Sequence, residues 1–176
     1  MTDAPPDGEI LSRVAARVLL IDAADRLLLM RGFDPGRPLL RYWFTVGGGL
    51  DDGESTLDAA VRELFEETGL RLPASSLVGP VFHETTFFPF DGQRYSQEQD
   101  FFVARVDAWD VDLSGLSEIE QATVEGVRWW SLDELSATTD TFYPVNLVPL
   151  VRSVLAEGAS IAGTVVSPVG IPEEDG

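Results

Sequence analysis

Residues 55–69 admit one local structure, and that structure sets a problem the rest of the chain has to solve. Ser55 is a helix-capping residue, Asp58 three positions on approximates a capping box, and Leu57, Ala60, Val61 and Leu64 recur at helical spacing. Gly69 stands where a helix needs a left-handed residue to end. The pattern predicts a helix of roughly 20 Å at about 1.5 Å per residue. Side chains three and four apart are neighbours, so Glu63, Glu66 and Glu67 share a face pointing away from the apolar stripe, with the small Ala59 leaving room beside them. Like charges at that spacing cost roughly 0.2–0.5 kcal/mol a pair, and carboxylates at a helix C-terminus face the negative end of the dipole at roughly 0.3–1 kcal/mol each. Arg62 reaches Glu66 one turn on, but one cation does not offset three anions. A divalent cation does. Only hard oxygen donors are on offer, so Mg2+ or Mn2+ is the expected ion.

Composition narrows the chemistry further. With 176 residues, 44% of them hydrophobic, the chain is long enough to bury one core, and a single domain is expected. Cysteine is absent, which removes disulfides, thiolate metal sites and a cysteine nucleophile. His83 is the only histidine, so a hydrolytic triad is a poor reading, and a packing or surface role in a strand is expected of it. The acidic start Met-Thr-Asp-Ala-Pro-Pro-Asp-Gly-Glu does not read as a signal peptide and no apolar run spans a bilayer, which fits a cytoplasmic protein with no membrane partner. The basic residues, 12 in all, are every one arginine, and the formal charge is −18. That charge argues against nucleic acid as a partner, and it means that a polyphosphate ligand needs cations close at hand.

Residues 1–9 read as a flexible lead, 10–157 as the single domain and 158–176 as a tail, with 161–169 available as an edge strand. Ile10–Ile21 and 26–30, joined at Asp22-Ala-Ala-Asp25, read as a hairpin, and 33–40 as a loop by its turn chemistry. A short strand at 42–46 enters a Gly47-Gly48-Gly49 loop. Past the helix, Val78–Phe90 and 94–106 read as strands joined at Asp91-Gly92, a strong hairpin signal. Residues 107–121 form an acidic connection, 123–130 a strand, Ser131 caps a short helix, and 144–157 suits a last helix with Pro144 in its first turn. Strands and helices mix without regular βαβ alternation. The expected class is α/β of the α+β kind, a mixed β-sheet with helices on both faces.

Residues 48–70 carry more order than an acidic helix requires. They read Gly48, five residues, Glu54, seven residues, then Arg62-Glu63-Leu64-Phe65-Glu66-Glu67-Thr68-Gly69-Leu70. This resembles the signature of the Nudix hydrolases at every specified position, and the Trp129-Trp-Ser-Leu-Asp-Glu-Leu135 segment is also similar to that family. The resemblance implies the Nudix fold, a three-layer α/β/α sandwich. It also implies metal-dependent hydrolysis of a diphosphate linkage in a nucleoside di- or triphosphate or a related nucleoside-diphosphate-X compound. By matching position, Glu63, Glu66 and Glu67 become metal ligands, Glu63 also a candidate base, Arg62 the residue that orients the glutamates and Glu54 their support. The Gly47 carbonyl becomes a further ligand. Members often supply another ligand or the base from a later strand, and Glu98 is the candidate for that role. Val46 replaces a proline that many relatives carry, which alters stiffness more than chemistry.

Arg31, Arg41 and Arg94 are the candidates for phosphate contact, and Phe33, Tyr95 or Phe88 for stacking on a base. Strings that mark subfamilies are missing, including the Ser-Gln-Pro-Trp-Pro-Phe-Pro run of NADH-preferring members, so the group attached to the diphosphate stays open. The expected partner is a small-molecule nucleotide or nucleoside-diphosphate derivative, and a homodimer is a family-level expectation. The rival reading is a catalytically silent Nudix-fold module that binds a nucleotide without cleaving it. The intact box and the acidic surface favour the enzyme.

Overall fold

The computed structural model describes residues 8–157 and 164–165. Its strands are β1 (Ile10–Ile21), β2 (Leu27–Phe33), β3 (Arg41–Gly49), β4 (Val78–Phe90), β5 (Gln93–Arg105), β6 (Val124–Trp130), β7 (Phe142–Tyr143) and β8 (Thr164–Val165). The helices are α1 (Thr56–Thr68), α2 (Glu118–Thr123), α3 (Leu132–Ala137) and α4 (Leu147–Glu157). Among the described residues the strands form one sheet in the order β6-β2-β3-β1-β5-β4-β8, with β7 alongside β3. The central β1 runs antiparallel to β3 and parallel to β5, which makes the sheet mixed.

Alternation along β1 divides the core in two. Ala16, Val18 and Leu20 face α1, where they meet Ala59, Ala60 and Leu64 together with Phe102 and Ala104 of β5. Leu19 and Ile21 face the other way, against Phe101 and Val103 and beneath Leu135 of α3 and Leu147, Val151 and Val154 of α4. The sheet therefore carries helices on both faces, as expected. Leu64 is fully buried, and its replacement by alanine is worth about 2–5 kcal/mol of stability. Among the described residues no helix is long and apolar enough to cross a membrane.

Several elements differ from the sequence reading. The β1–β2 hairpin exists only at its base, where Ile21 pairs with Leu27, because β3 inserts beside β1 and takes up its remaining edge. The Gly47-Gly48-Gly49 segment is the end of β3 and not a loop; its glycines pair with Arg17, Ala16 and Ala15. Ala59 is buried in the core and Glu63 and Glu67 are buried with it, so, against that reading, these two glutamates do not point away from the packed side of the helix. The last helix starts at Leu147, and Pro144 lies outside it after a cis bond to Tyr143. The acidic connection contains the start of α2. The edge strand expected in 161–169 is described only at β8, paired with Phe82 and His83; its other positions and residues 1–7 lie outside the described residues.

Candidate active site

Local chemistry sets α1 in place. The Ser55 hydroxyl accepts the Asp58 amide at 3.1 Å, and Gly69, at φ 75°, donates to the Phe65 carbonyl at 2.8 Å. Arg62 then ties the helix to the segment before it. It donates to both carboxylate oxygens of Glu54 at 2.9 Å, to the Gly49 carbonyl at 2.9 Å, to Glu63 at 3.0 Å and to Glu66 at 3.1 Å. The Arg62 hydrogen bonds hold Glu54 below the usual carboxylate range, and the same contacts raise the guanidinium's own pKa.

Glu63 and Glu67 lie between α1 and the sheet, 8% and 3% exposed. Their carboxylates come together with that of Glu120 of α2, with ligand oxygens within 4.8 Å of one another. Burial pushes Glu63 up to about 6, with Arg62 opposing and Glu66 adding to the rise. Glu67 is pushed well above its ordinary value, first by burial and then by the Glu63 charge, against the hydrogen bond it receives from the Gly47 amide. Crowded, desolvated carboxylates of this kind are costly unless a cation joins them. The donor set is all oxygen and partly buried, and it fits Mg2+ or Mn2+.

Gly47 connects this cluster to the opposite face of the sheet. Its amide donates to Glu67 Oε2 at 2.7 Å, and its carbonyl accepts Arg17 Nη1 at 2.9 Å. Gly47 sits at φ 136°, and a Cβ there would come within 2.1 Å of the Ala16 carbonyl oxygen, so the position requires glycine. Gly48 is equally tight on the α1 side, where a Cβ would stand 2.7 Å from Glu63 Oε1. Arg17 also donates to Gln99 Oε1 at 3.1 Å, and Gln99 Nε2 donates to Glu84 at 2.5 Å.

The residues expected from sequence separate into three groups. Glu54, Arg62, Glu63, Glu67 and Gly47 are brought together, whereas Glu66 is half-exposed and tied to Arg62 outside the close cluster. Glu98 is exposed on β5 and is not part of the close cluster; the carboxylate that joins from outside the box is Glu120. Arg31 and Arg41 are engaged by Glu125 at 3.9 and 2.7 Å, and the Arg41 guanidinium covers the Phe33 ring at 4.7 Å. Arg94 is exposed near the start of β5, and Tyr95 stacks on Phe88 at 5.4 Å. His83 Nδ1 lies 2.6 Å from Asp100, whose other oxygen accepts Thr56 at 2.9 Å, so it braces β4, β5 and the start of α1. Sequence reasoning missed Glu120 and Arg17. The Ser117-x-x-Glu120 capping box was the one local signal for the first of these, and it advertises a helix start, not a ligand.

The NUDIX domain model matches residues 11–151. An m7GpppN-mRNA hydrolase of Danio rerio is 45% identical over 68 residues, 37% of this chain and 23% of that one. A putative 8-oxo-dGTP diphosphatase of Bacillus subtilis is 28% identical over 116 residues, 66% of this chain and 64% of that one. The chain thus spans about a quarter of the first relative and just under two thirds of the second. Among solved structures, the NUDIX domain of Shewanella oneidensis NrtR, complexed with ADP ribose, superposes with a TM-score of 0.61 at 18% identity, covering 87% of this chain and 94% of that one. The family match runs from β1 into α4 and takes in the whole carboxylate cluster: the chain belongs to the Nudix family.

Proposed function

We propose that the protein is a metal-dependent pyrophosphohydrolase that cleaves a diphosphate linkage in a nucleoside di- or triphosphate or a related nucleoside-diphosphate-X compound. The observation that carries this reading is the convergence of Glu63, Glu67 and Glu120, a crowding of buried and half-buried carboxylates beside the Gly47 peptide. Those three side chains, with the Gly47 carbonyl as a further oxygen, would hold Mg2+ or Mn2+. Bound there, the ion would polarise a phosphoryl oxygen and lower the pKa of water. The chain supplies the rest. Arg62 holds Glu54, Glu63 and Glu66 in position through one guanidinium. Glu63 would accept the proton of the attacking water as the new P–O bond forms and the bridging P–O bond breaks, its electrons leaving with the departing phosphate. The name of the Bacillus subtilis relative supports a nucleoside triphosphate among the substrates to be tried first.

A panel of nucleotides and nucleoside-diphosphate derivatives with Mg2+ or Mn2+, read as released phosphate or pyrophosphate, tests the proposal. Turnover that EDTA abolishes, and that Glu67→Gln lowers by about a hundredfold or more, is expected. If wild type cleaves no diphosphate, or the Gln variant matches it, the nucleotide-binding module takes its place.

A further inference from the structure

Glu120 reaches the carboxylate cluster from a short helix that the sheet holds at one end only. The C-terminal end of α2 runs straight into β6, which pairs with β2. Its N-terminal end follows residues 106–117, which carry no strand or helix. That connection is fastened instead to α1, the helix that bears Glu63 and Glu67. A helix leaves its last carbonyls without partners of its own, and the carbonyl of Thr68, the final residue of α1, takes two donors from the connection. Trp109 Nε1 donates to it at 2.8 Å and the Asp112 amide at 2.9 Å. Gly115 lies against the same helix, where a Cβ would stand 2.5 Å from the Glu66 carbonyl oxygen. Leu116 enters the core cluster that contains Leu64, and Trp109, Val111 and Leu113 pack against that cluster. Ser117 then starts α2 through a capping box in which its amide donates to Glu120 at 3.1 Å.

These contacts matter because the cluster pushes itself apart. Glu63 and Glu67 are both carried by α1, so Glu120 is the carboxylate that like-charge repulsion can expel. A connection fastened to α1 resists that displacement, and a cation then meets ligands already gathered. We infer that Trp109 is a positioning residue: its indole N–H, on the Thr68 carbonyl, holds the connection against α1 and so keeps Glu120 at the cluster. The purpose of that placement rests on the metal site proposed above; the placement itself does not.

Mn2+ affinity tests the inference on wild type, Trp109→Phe, Glu120→Gln and the double variant, with Gly115→Ala as a second lesion of the same fastening. Phenylalanine keeps most of the ring packing and removes the donor. A loss of about threefold or more is expected for Trp109→Phe, and no further loss when it is added to Glu120→Gln, because the indole acts through that carboxylate. Gly115→Ala is expected to show the same dependence on Glu120, and melting curves identify a variant that fails to fold. Wild-type affinity in Trp109→Phe, or an equal loss with and without Glu120, overturns the inference; the second result is what a purely structural tryptophan gives. Hydrogen exchange in EDTA supplies a reading free of metal. The amides of α2 are expected to exchange about threefold or more faster in Trp109→Phe, and the central amides of α1 at the wild-type rate. Unchanged exchange in α2 means that β6 alone holds it, and overturns the inference. The two readings fail separately. If wild type binds no Mn2+, the metal-dependent hydrolase falls, and the exchange rates decide whether Trp109 holds α2. If wild type binds Mn2+ and cleaves a nucleotide while Trp109→Phe matches it in both experiments, the hydrolase stands and the role of Trp109 falls.

Discussion

The Gly47 amide donates to Glu67 at 2.7 Å while the Gly47 carbonyl accepts Arg17 at 2.9 Å, so one glycine is gripped from both faces of the sheet. Arg17 is itself held by Gln99, whose amide is oriented by Glu84. Replacing Arg17 with methionine keeps the stem and removes the grip. Mn2+ affinity, followed by electron paramagnetic resonance, is expected to fall about tenfold, and lysine to restore part of it. KM is expected to move less than kcat. A merely structural Arg17 would instead lower the melting temperature and leave Mn2+ affinity unchanged.

Glu120 and Glu98 are both glutamates outside the box, and only Glu120 reaches Glu63 and Glu67. Glu120→Gln preserves the side chain that caps α2, so the fold should tolerate it, yet it removes one anionic ligand. Turnover and Mn2+ affinity are each expected to drop by about tenfold or more, while Glu98→Gln stays near wild type. Equal behaviour of the two variants in parallel assays would contradict the placement.

Gly48→Ala probes the closeness of β3 and α1. The added Cβ would stand 2.7 Å from Glu63 Oε1 and 2.9 Å from its Cδ, so the carboxylate has to swing aside. A cost of about 1–3 kcal/mol is expected from the displaced packing. The variant should still melt cooperatively but turn over at least about tenfold more slowly, because a small misplacement of a reacting group is enough.

The raised Glu63 pKa carries a sign that can be measured in metal-free protein. Burial lifts it from 4.5 to about 6 in the folded state, so between those values the folded chain holds more of this proton than the unfolded one. The resulting stabilisation is complete below about 4.5 and is lost as pH rises through about 6, at most about 2 kcal/mol. Glu67 shifts in the same direction. With EDTA present, wild type is expected to lose melting temperature relative to Glu63→Gln as pH goes from 4.5 to 7.5, and Mg2+ to reverse the loss at the upper end. Parallel melting curves for the two proteins would rule this out.

What the sequence disclosed was local. The α1 ends at Ser55 and Gly69 and the β4–β5 turn at Asp91-Gly92 depend on backbone chemistry within a few residues, and they appear where expected. The glycine run was misread because glycine favours no element; its strand character comes from pairing with Ala15, Ala16 and Arg17, some thirty residues away. The same distance hides the contact of Arg17 with the Gly47 carbonyl, which exists only when β1 is laid beside β3. Glu120 is spelled like its acidic neighbours, and nothing in that spelling says that its carboxylate reaches Glu63 and Glu67.

The two faces of β1 also separate two kinds of change. Ala16, Val18 and Leu20 support the helix that bears the glutamates, while Arg13 lies on the reverse side against Gly49. A substitution at position 13 can therefore be made without repacking the layer beneath α1. One side of this strand is free to vary while the packing on its other side stays still.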